Sequence, residues 1–464
     1  MQLVNLITTK NMNFKIYCTI EALTLLLLFL ITPAGYCFGY DTVWSLYQQA
    51  VKKDPLIKAA EARLKASHQE KPLARSQLMP HLQGEIGQGY YAKNITGMGP
   101  EGIKKDYWGD NYGVRLVQPI FNGQAYVSLK MAKSIIGAQE AQYIFAKQEL
   151  IRRLSIAYLD LLDAKSVLQV AEDRVRLDEK ILERAKTFLK VGTGDIVSVK
   201  EAEARLDAAK AGVINAKNLV AIKKTNLSIV AHTDVSEILD IREFTPRLPE
   251  PTNPSAWIKA ALDNRPILKE AGHKLVLANE KIEHARRARW PRVDLEAAAS
   301  YANGLFLPDV IYREAHGVFK VSFPFYLGGA ITANTKKAQQ EALAAEHNLK
   351  HLEDVVTLET KSAYLTLKDS VALIGAASKA VDSARVSMEA TNKGYEVGTR
   401  NIIDVLDITD KYLVRRQQYL HSLYNHLKAR ILLKKASGTL GEADIKALEG
   451  LLMRNTGRKD PGNG

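Results

Sequence analysis

Apolar side chains recur every seven residues through the middle of the first half of the chain: Leu154, Leu161, Leu168, Val175, Leu182 and Leu189. A second row, Ala157, Ala164, Ala171, Asp178 and Ala185, runs beside it with small residues and one charge. A strict seven-residue period predicts coiled-coil packing, and the small row lets neighbouring helices come close. Two hundred residues later the pattern returns as Thr360, Leu367, Ile374, Val381, Met388 and Tyr395, flanked by Ala363, Ser370, Ala377, Ala384 and Thr391. Long helices are predicted over 123–191 and 329–397, each about 100 Å long at ~1.5 Å per residue. A shorter seam, Val199, Leu206, Val213, Val220 and Leu227, predicts a return helix over 195–231, with its counterpart over 401–437.

Ahead of each long helix the period changes to two. Val293, Leu295, Ala297, Ala299 and Tyr301 alternate with Asp294, Glu296, Ala298 and Ser300. Phe319, Val321, Phe323 and Phe325 alternate with Val318, Lys320, Ser322 and Pro324. These blocks predict β-hairpins over 80–122 and 291–327, joined by loops rich in Gly, Asn, Asp and Tyr. Blocks of about ten alternating residues suit a transmembrane barrel; a half-buried sheet in a soluble domain has the same alternation. Four strands cannot close a barrel around a pore, and lipid does not tolerate an open sheet edge. If these strands span a membrane, several chains must pool them.

The order of elements is written twice. "DPLIKAAEARL" from Asp54 matches "RPILKEAGHKL" from Arg265, and Pro80 matches Pro291. "VRLVQPIFNGQA" from Val114 matches "FKVSFPFYLGGA" from Phe319, and "VGTGDIVSV" from Val191 matches "VGTRNIIDV" from Val397. The offsets, about 205 to 211 residues, argue for duplication of a whole unit. We expect repeat 1 over 40–243, a Pro-rich connector over 244–254, repeat 2 over 255–440 and a C-terminal segment over 441–464 ending in a disordered tail. Each repeat opens with a helix, about 42–76 and 255–287. These helices and the return helices are each about half the length of a long helix, so stacked end to end they can run beside it.

Residues 1–39 read as a signal peptide. Lys10 and Lys15 flank an apolar core, Ala22 to Ala34, and Cys37 to Gly39 offer small residues at a cleavage site. The core is about 13 residues, short of the ~20 that span a bilayer. Met12 is an alternative start, and Tyr36 argues against lipidation at Cys37. The only two cysteines of the 464 residues, Cys18 and Cys37, lie in this segment, so an exported chain would be stabilised by packing or assembly rather than disulfides. The net charge of +13 comes with 25% charged residues of both signs spread along helical faces, without a basic-aromatic cluster. That distribution points away from nucleic acid.

The two reversals differ in chemistry. Gly192 and Thr193 make the first, and Gly398 and Thr399 the second, but only the second is crowded with Tyr395, Arg400, Asp404, Asp407 and Asp410. Plain structural roles exist for each. Gly398 suits a helix C-terminus, Asn401 an N-cap with Asp404 in the first turn, and Tyr395 a seam position. Arg400 with Asp404 suits an exposed pair worth under ~1 kcal/mol. Asp404 and Asp407 are three apart and share a helix face. Repeated around an oligomer they would form stacked carboxylate rings that favour cations and raise one another's pKa.

With "GYEVGTRNIIDVLD" and "YNHLKARILLKKASGTL" in place, the chain resembles the TolC family of outer-membrane exit ducts over about residues 40–452. The resemblance implies a mainly α fold with a transmembrane β-barrel: a homotrimer, four strands per protomer in a 12-stranded barrel, and coiled-coil helices forming an α-barrel tunnel across the periplasm. It implies a passive duct for efflux or type I protein secretion, with no cofactor. An ABC, RND or MFS inner-membrane transporter would be linked to it through a periplasmic adaptor. It further implies that Tyr395 and Arg400 tether the inner tip closed and that Asp404 and Asp407 narrow it. The family's acidic tether partner falls on Ser198 and its neighbouring Thr on Val197, which leaves Glu201 as another acceptor for Arg400.

Two other classes fit less well. A periplasmic adaptor needs one hairpin between compact β-domains, not two complete repeats. For an enzyme, His347 and His351 have metal-like spacing but no acidic third ligand nearby. No H-E-x-x-H, phosphate loop or nucleophile elbow is present.

Overall fold

The computed structural model describes residues 41–95, 103–240, 244–304 and 310–453. The expected signal peptide and disordered tail lie outside the described residues. Asp41 with Ser236–Ile238 forms a small unit of its own, in which the Ser236 amide donates to the Asp41 carboxylate at 2.7 Å. The other described residues belong to the second unit.

In that unit the first repeat has helices α1 (Val43–Lys53), α2 (Pro55–His68) and α3 (Glu70–Ser76), strands β1 (His81–Ile95) and β2 (Ile103–Asn122), then α4 (Gly123–Lys190) and α5 (Ile196–Ala231). The second repeat has α6 (Pro254–Asn264), α7 (Pro266–Arg287), β3 (Arg292–Asn303), β4 (Ile311–Ser322), α8 (Ala330–Glu396) and α9 (Ile402–Ala436). A last helix, α10 (Glu442–Met453), follows.

The opening helix expected in each repeat is in fact broken. Pro55 and Pro266 each occupy a first helical turn, because proline lacks the N–H that a helix interior needs. The residue before each is extended, with ψ of 120° at both Asp54 and Arg265. Another break at Gln69 separates α2 from α3. The broken pieces pack on the long helices: α1, α2 and α3 on α4, and α6 and α7 on α8. The return helices α5 and α9 flank the same long helices, and α4 also contacts α7 and α9, which joins the repeats.

The seam of α4 is buried at Leu154 and Leu161 and half-buried from Leu168 to Leu189. Its small row is the better covered, and Asp178 on that row is only 2% exposed. In α8, Thr360, Leu367 and Ile374 are buried while Val381 to Tyr395 are half-buried.

The strands form one antiparallel sheet in the order β1-β2-β3-β4. Register aligns Leu82, Ile86 and Tyr90 with Leu116, Tyr112 and Trp108, and continues through Ala297 and Tyr301 to Gly317 and Arg313. One face is therefore largely apolar from edge to edge, and its large members are exposed, Ile86 at 82%. The opposite face carries Gln83, Glu85, Arg115 and Glu296, with Arg115 and Glu296 paired at 2.8 Å. β1 and β2 run to 15 and 20 residues, longer than the blocks read from sequence, because they continue through the Tyr-rich stretch expected to be loop. β4 is shorter than expected. It ends at Ser322, and Phe323 and Phe325 lie beyond it, since Pro324 offers no donor to a ladder. A register shift between Pro119 and Phe121 has the same cause.

The two proline breaks carry a pair of opposite polarity. In repeat 1 Asp54 is fully buried, accepts from the Leu56 and Ile57 amides, and binds Arg153 of α4 at 2.6 Å. Burial alone would raise its pKa, but Arg153 and those amides hold it below the usual carboxylate value. In repeat 2 the matching position is Arg265, which binds Glu359 of α8 and donates to the Ala436 carbonyl at 2.8 Å. Asp54→Ala should lower stability by about 3–5 kcal/mol, as it strands a guanidinium and removes a cap. Asp54→Asn, which keeps the capping oxygen, should lose roughly half as much. The midpoints of heat denaturation of the two variants check this order.

Candidate functional site

Both long helices end in the same motif. At the first, Gly192 (φ 81°) lets its own amide reach the Leu189 carbonyl at 3.2 Å and the Thr193 amide reach Phe188 at 3.0 Å. At the second, Gly398 (φ 77°) donates to Tyr395 at 3.1 Å and Thr399 donates to Gly394 at 2.8 Å. These are paired 6→1 and 5→2 bonds, which satisfy the last carbonyls and turn the chain back. The returning helices are then capped. Asp195 accepts from the Ser198 amide at 2.8 Å, and Asn401 accepts from the Asp404 amide at 2.8 Å.

An apolar cluster holds the two turns together: Ile181 and Ala185 of α4, Val199 and Ala202 of α5, and Ile402, Val405 and Leu406 of α9. Tyr395 packs against this cluster, with its ring 5.2 Å from that of Phe188. Burial first, and then the Asp195 charge, raises the pKa of Tyr395. Arg400 and Asp404 approach within 3.8 Å and are both well exposed, the modest pair read from the spacing.

Ser198 is committed elsewhere. Its hydroxyl donates to Asp195 at 2.7 Å, so the carboxylate of this turn lies three residues before the position where one was expected. Glu201 accepts from Arg205 at 3.3 Å rather than from Arg400. Asp407 is half-exposed and accepts from Arg205 at 3.1 Å. His347 and His351 are both exposed on α8. Sequence reading missed a second layer of charge just above the turns, in which Arg174, Asp178, Arg205 and Asp410 meet. One signal for it was present: Asp178 interrupts a row of alanines.

The outer membrane efflux protein profile matches residues 46–230 and 257–439, one segment in each repeat. The chain belongs to that family. It is 28% identical over 428 residues to the outer membrane protein TolC of Escherichia coli, covering 89% of this chain and 85% of that one. It is 24% identical to the alkaline protease secretion protein AprF of Pseudomonas aeruginosa, covering 86% and 85%. Among solved structures, CusC superposes with a TM-score of 0.76 at 18% identity, over 86% of this chain and 92% of that chain. The CmeC channel of Campylobacter jejuni gives 0.73 at 17% identity, over 89% of both. The protein is an outer-membrane channel of the efflux and secretion class in a Gram-negative bacterium, a transport protein and not an enzyme. Among the described residues no helix is long and apolar enough to cross a membrane.

Nothing lies within 4 Å of a Cβ built on Gly192 or Gly398, so a side chain there meets only backbone strain. Gly398→Ala should cost about 1 kcal/mol and Gly398→Asn less, because Asn tolerates the left-handed region. Amide exchange at Thr399 and Arg400 should quicken in the Ala variant and stay near the original rate in the Asn variant.

Proposed function

We propose that three copies assemble into a passive duct that is closed at the tip formed by the two glycine turns. The observation that carries this reading is the pair of unfilled edges. Within the chain β1 and β4 are the outer strands of the sheet, and four strands are too few to close around a pore. Three chains supply twelve. The helices agree: α5 exposes Ile214, Ile222 and Ile229, and α8 exposes Leu358, Leu365 and Leu373, at the seven- and eight-residue spacing of unfilled seams. Joining α5 of one copy to α8 of the next fills both and closes the ring head to tail.

Asp404 on each copy faces the narrowed tip with Asp407 beside it, giving a ring that attracts cations. Tyr395 and Arg400 hold α8 and α9 in the closed position, Tyr395 by packing on Phe188 and Arg400 through its charge. The glycine turns with Thr193 and Thr399 are the surface offered to a periplasmic adaptor, which links the duct to an inner-membrane transporter of the ABC, RND or MFS type. Relatives named for protease secretion and for efflux each match most of the chain, so both cargo classes suit a duct of this kind.

The protein should fractionate with the outer membrane and run as a detergent-resistant trimer; a soluble monomer would overturn the assembly. In planar bilayers the Tyr395→Phe, Arg400→Ser double variant should conduct more than the parent. Asp404→Ala with Asp407→Ala should lose block by divalent and trivalent cations added from the tip side.

A further inference from the structure

Above the turns, three helices meet at a partly buried cluster of charge. Asp410 of α9 is bound by two guanidiniums, one on each oxygen: Arg174 of α4 at 2.7 Å and Arg205 of α5 at 2.9 Å. Arg205 spreads its other nitrogens to Asp407 at 3.1 Å and Glu201 at 3.3 Å. Arg174 turns its Nε toward Asp178, but at 3.7 Å, and neither that nitrogen nor Asp178 Oδ2 has a hydrogen-bond partner although both are buried. Four carboxylates thus share two guanidiniums. Both arginines belong to repeat 1, and the two carboxylates that Arg205 and Arg174 hold across the chain, Asp407 and Asp410, belong to repeat 2.

We propose that Arg205 is the positioning residue that clamps the second hairpin of the tip to the first, through Asp410 and Asp407, with Arg174 and Asp178 setting how tightly it holds. The proposal rests on the tip being the closed end of the duct. Its geometric ground is independent of Tyr395 and Arg400. Ser198, where an acidic partner for Arg400 was expected, donates to the capping carboxylate of Asp195, and Arg400 pairs with its exposed neighbour Asp404. The α9 hairpin is also held by two-point binding from Arg205, 31% exposed, and Arg174, 35% exposed, where water screens charge less than at the turns. Displacing α8 and α9 from α4 and α5 must break those contacts and leave several carboxylates facing one another.

The charged groups facing Asp178 are Arg174 on its own helix, Asp410 on α9 and Arg205 on α5. Burial pushes the Asp178 carboxyl up to about 6, helped by the Asp410 charge and opposed by Arg174 and Arg205. A carboxyl raised in the assembled cluster favours that cluster when protonated and weakens it as pH climbs through its value. Ionised, Asp178 repels Asp410 and competes with it for Arg174. Protonated, it leaves Arg174 wholly to Asp410. Mild acid therefore tightens the clamp, and pH above about 6 loosens it.

The test is single-channel recording on the purified full-length trimer. Arg205→Gln should raise the open population roughly tenfold, with Asp410→Asn in the same direction. Arg205→Glu combined with Asp410→Arg should restore closure. Parent channels should conduct less at pH 5 than at pH 7.5, and Asp178→Asn should remove that difference by holding the low-pH level throughout. An Arg205→Gln trimer that conducts like the parent overturns the clamp. If the Tyr395→Phe, Arg400→Ser variant opens in the same experiment, the tip gate survives and only the clamp falls; if it too is unchanged, both readings fall. Should Arg205→Gln not assemble, Asp410→Asn and the Asp178→Asn pH profile decide alone.

Discussion

A β-strand cannot leave its backbone donors and acceptors unpaired inside a bilayer, and the rest of this protein follows from that constraint. Water is absent there, so each unsatisfied amide costs several kcal/mol. Among the described residues the chain supplies four strands, with an apolar face that aligns across the sheet and two outer strands each paired on one edge alone. In the proposed assembly closure comes from copies, and any helix leading out of the sheet inherits the same arrangement. That is why α5 and α8 carry apolar stripes that their own chain leaves uncovered. A stripe such as Ile214, Ile222 and Ile229 would be an aggregation hazard on a monomer and is a seam in a ring.

Much of the fold was legible because it is periodic. The seven-residue seams run within α4 and α8, since a coiled coil is specified by a repeat that a reader can count. The duplicated order and the twin reversals were legible for a related reason, as Gly192 and Gly398 answer a backbone need for positive φ that few other residues meet. Three features were not. The breaks at Asp54 and Arg265 were overlooked because the apolar pattern continues across them, although a proline follows each. The extension of the β1–β2 hairpin beyond Tyr91 was read as loop, because Gly, Asn and Asp are frequent there. Phe323 and Phe325 keep the strand's alternation after the strand has ended, so alternation alone placed them wrongly.

At the tip the local readings survived better than the long-range ones. Asn401 caps α9 and Asp404 closes the box with it, as three-residue spacing suggests. The partners of Ser198, Glu201 and Asp407 depend on which helices lie side by side, and spacing along one helix cannot report that. Arg205 lies 202 residues from Asp407 and 205 from Asp410. It was invisible in sequence as one more arginine on a charged face. Asp178 was visible as an anomaly but not as part of a group, because its neighbours come from two other helices.

Duplication sets a problem that apolar seams cannot solve. Two repeats with nearly interchangeable heptads offer each proline break two long helices to bind, and α7 touches both α4 and α8. The charges break that degeneracy. Asp54 binds Arg153 and Arg265 binds Glu359, so exchanging those partners would set Asp54 against Glu359 and Arg265 against Arg153, two like-charge contacts. The same logic applies to Arg174 and Arg205 near the tip, whose acceptors Asp407 and Asp410 lie in the other repeat. Apolar spacing says that helices pack, and the sign of a few buried charges says which ones. The two copies of the turn differ accordingly. Their shared Gly-Thr reverses the chain, and the residues around it give each hairpin a distinct partner.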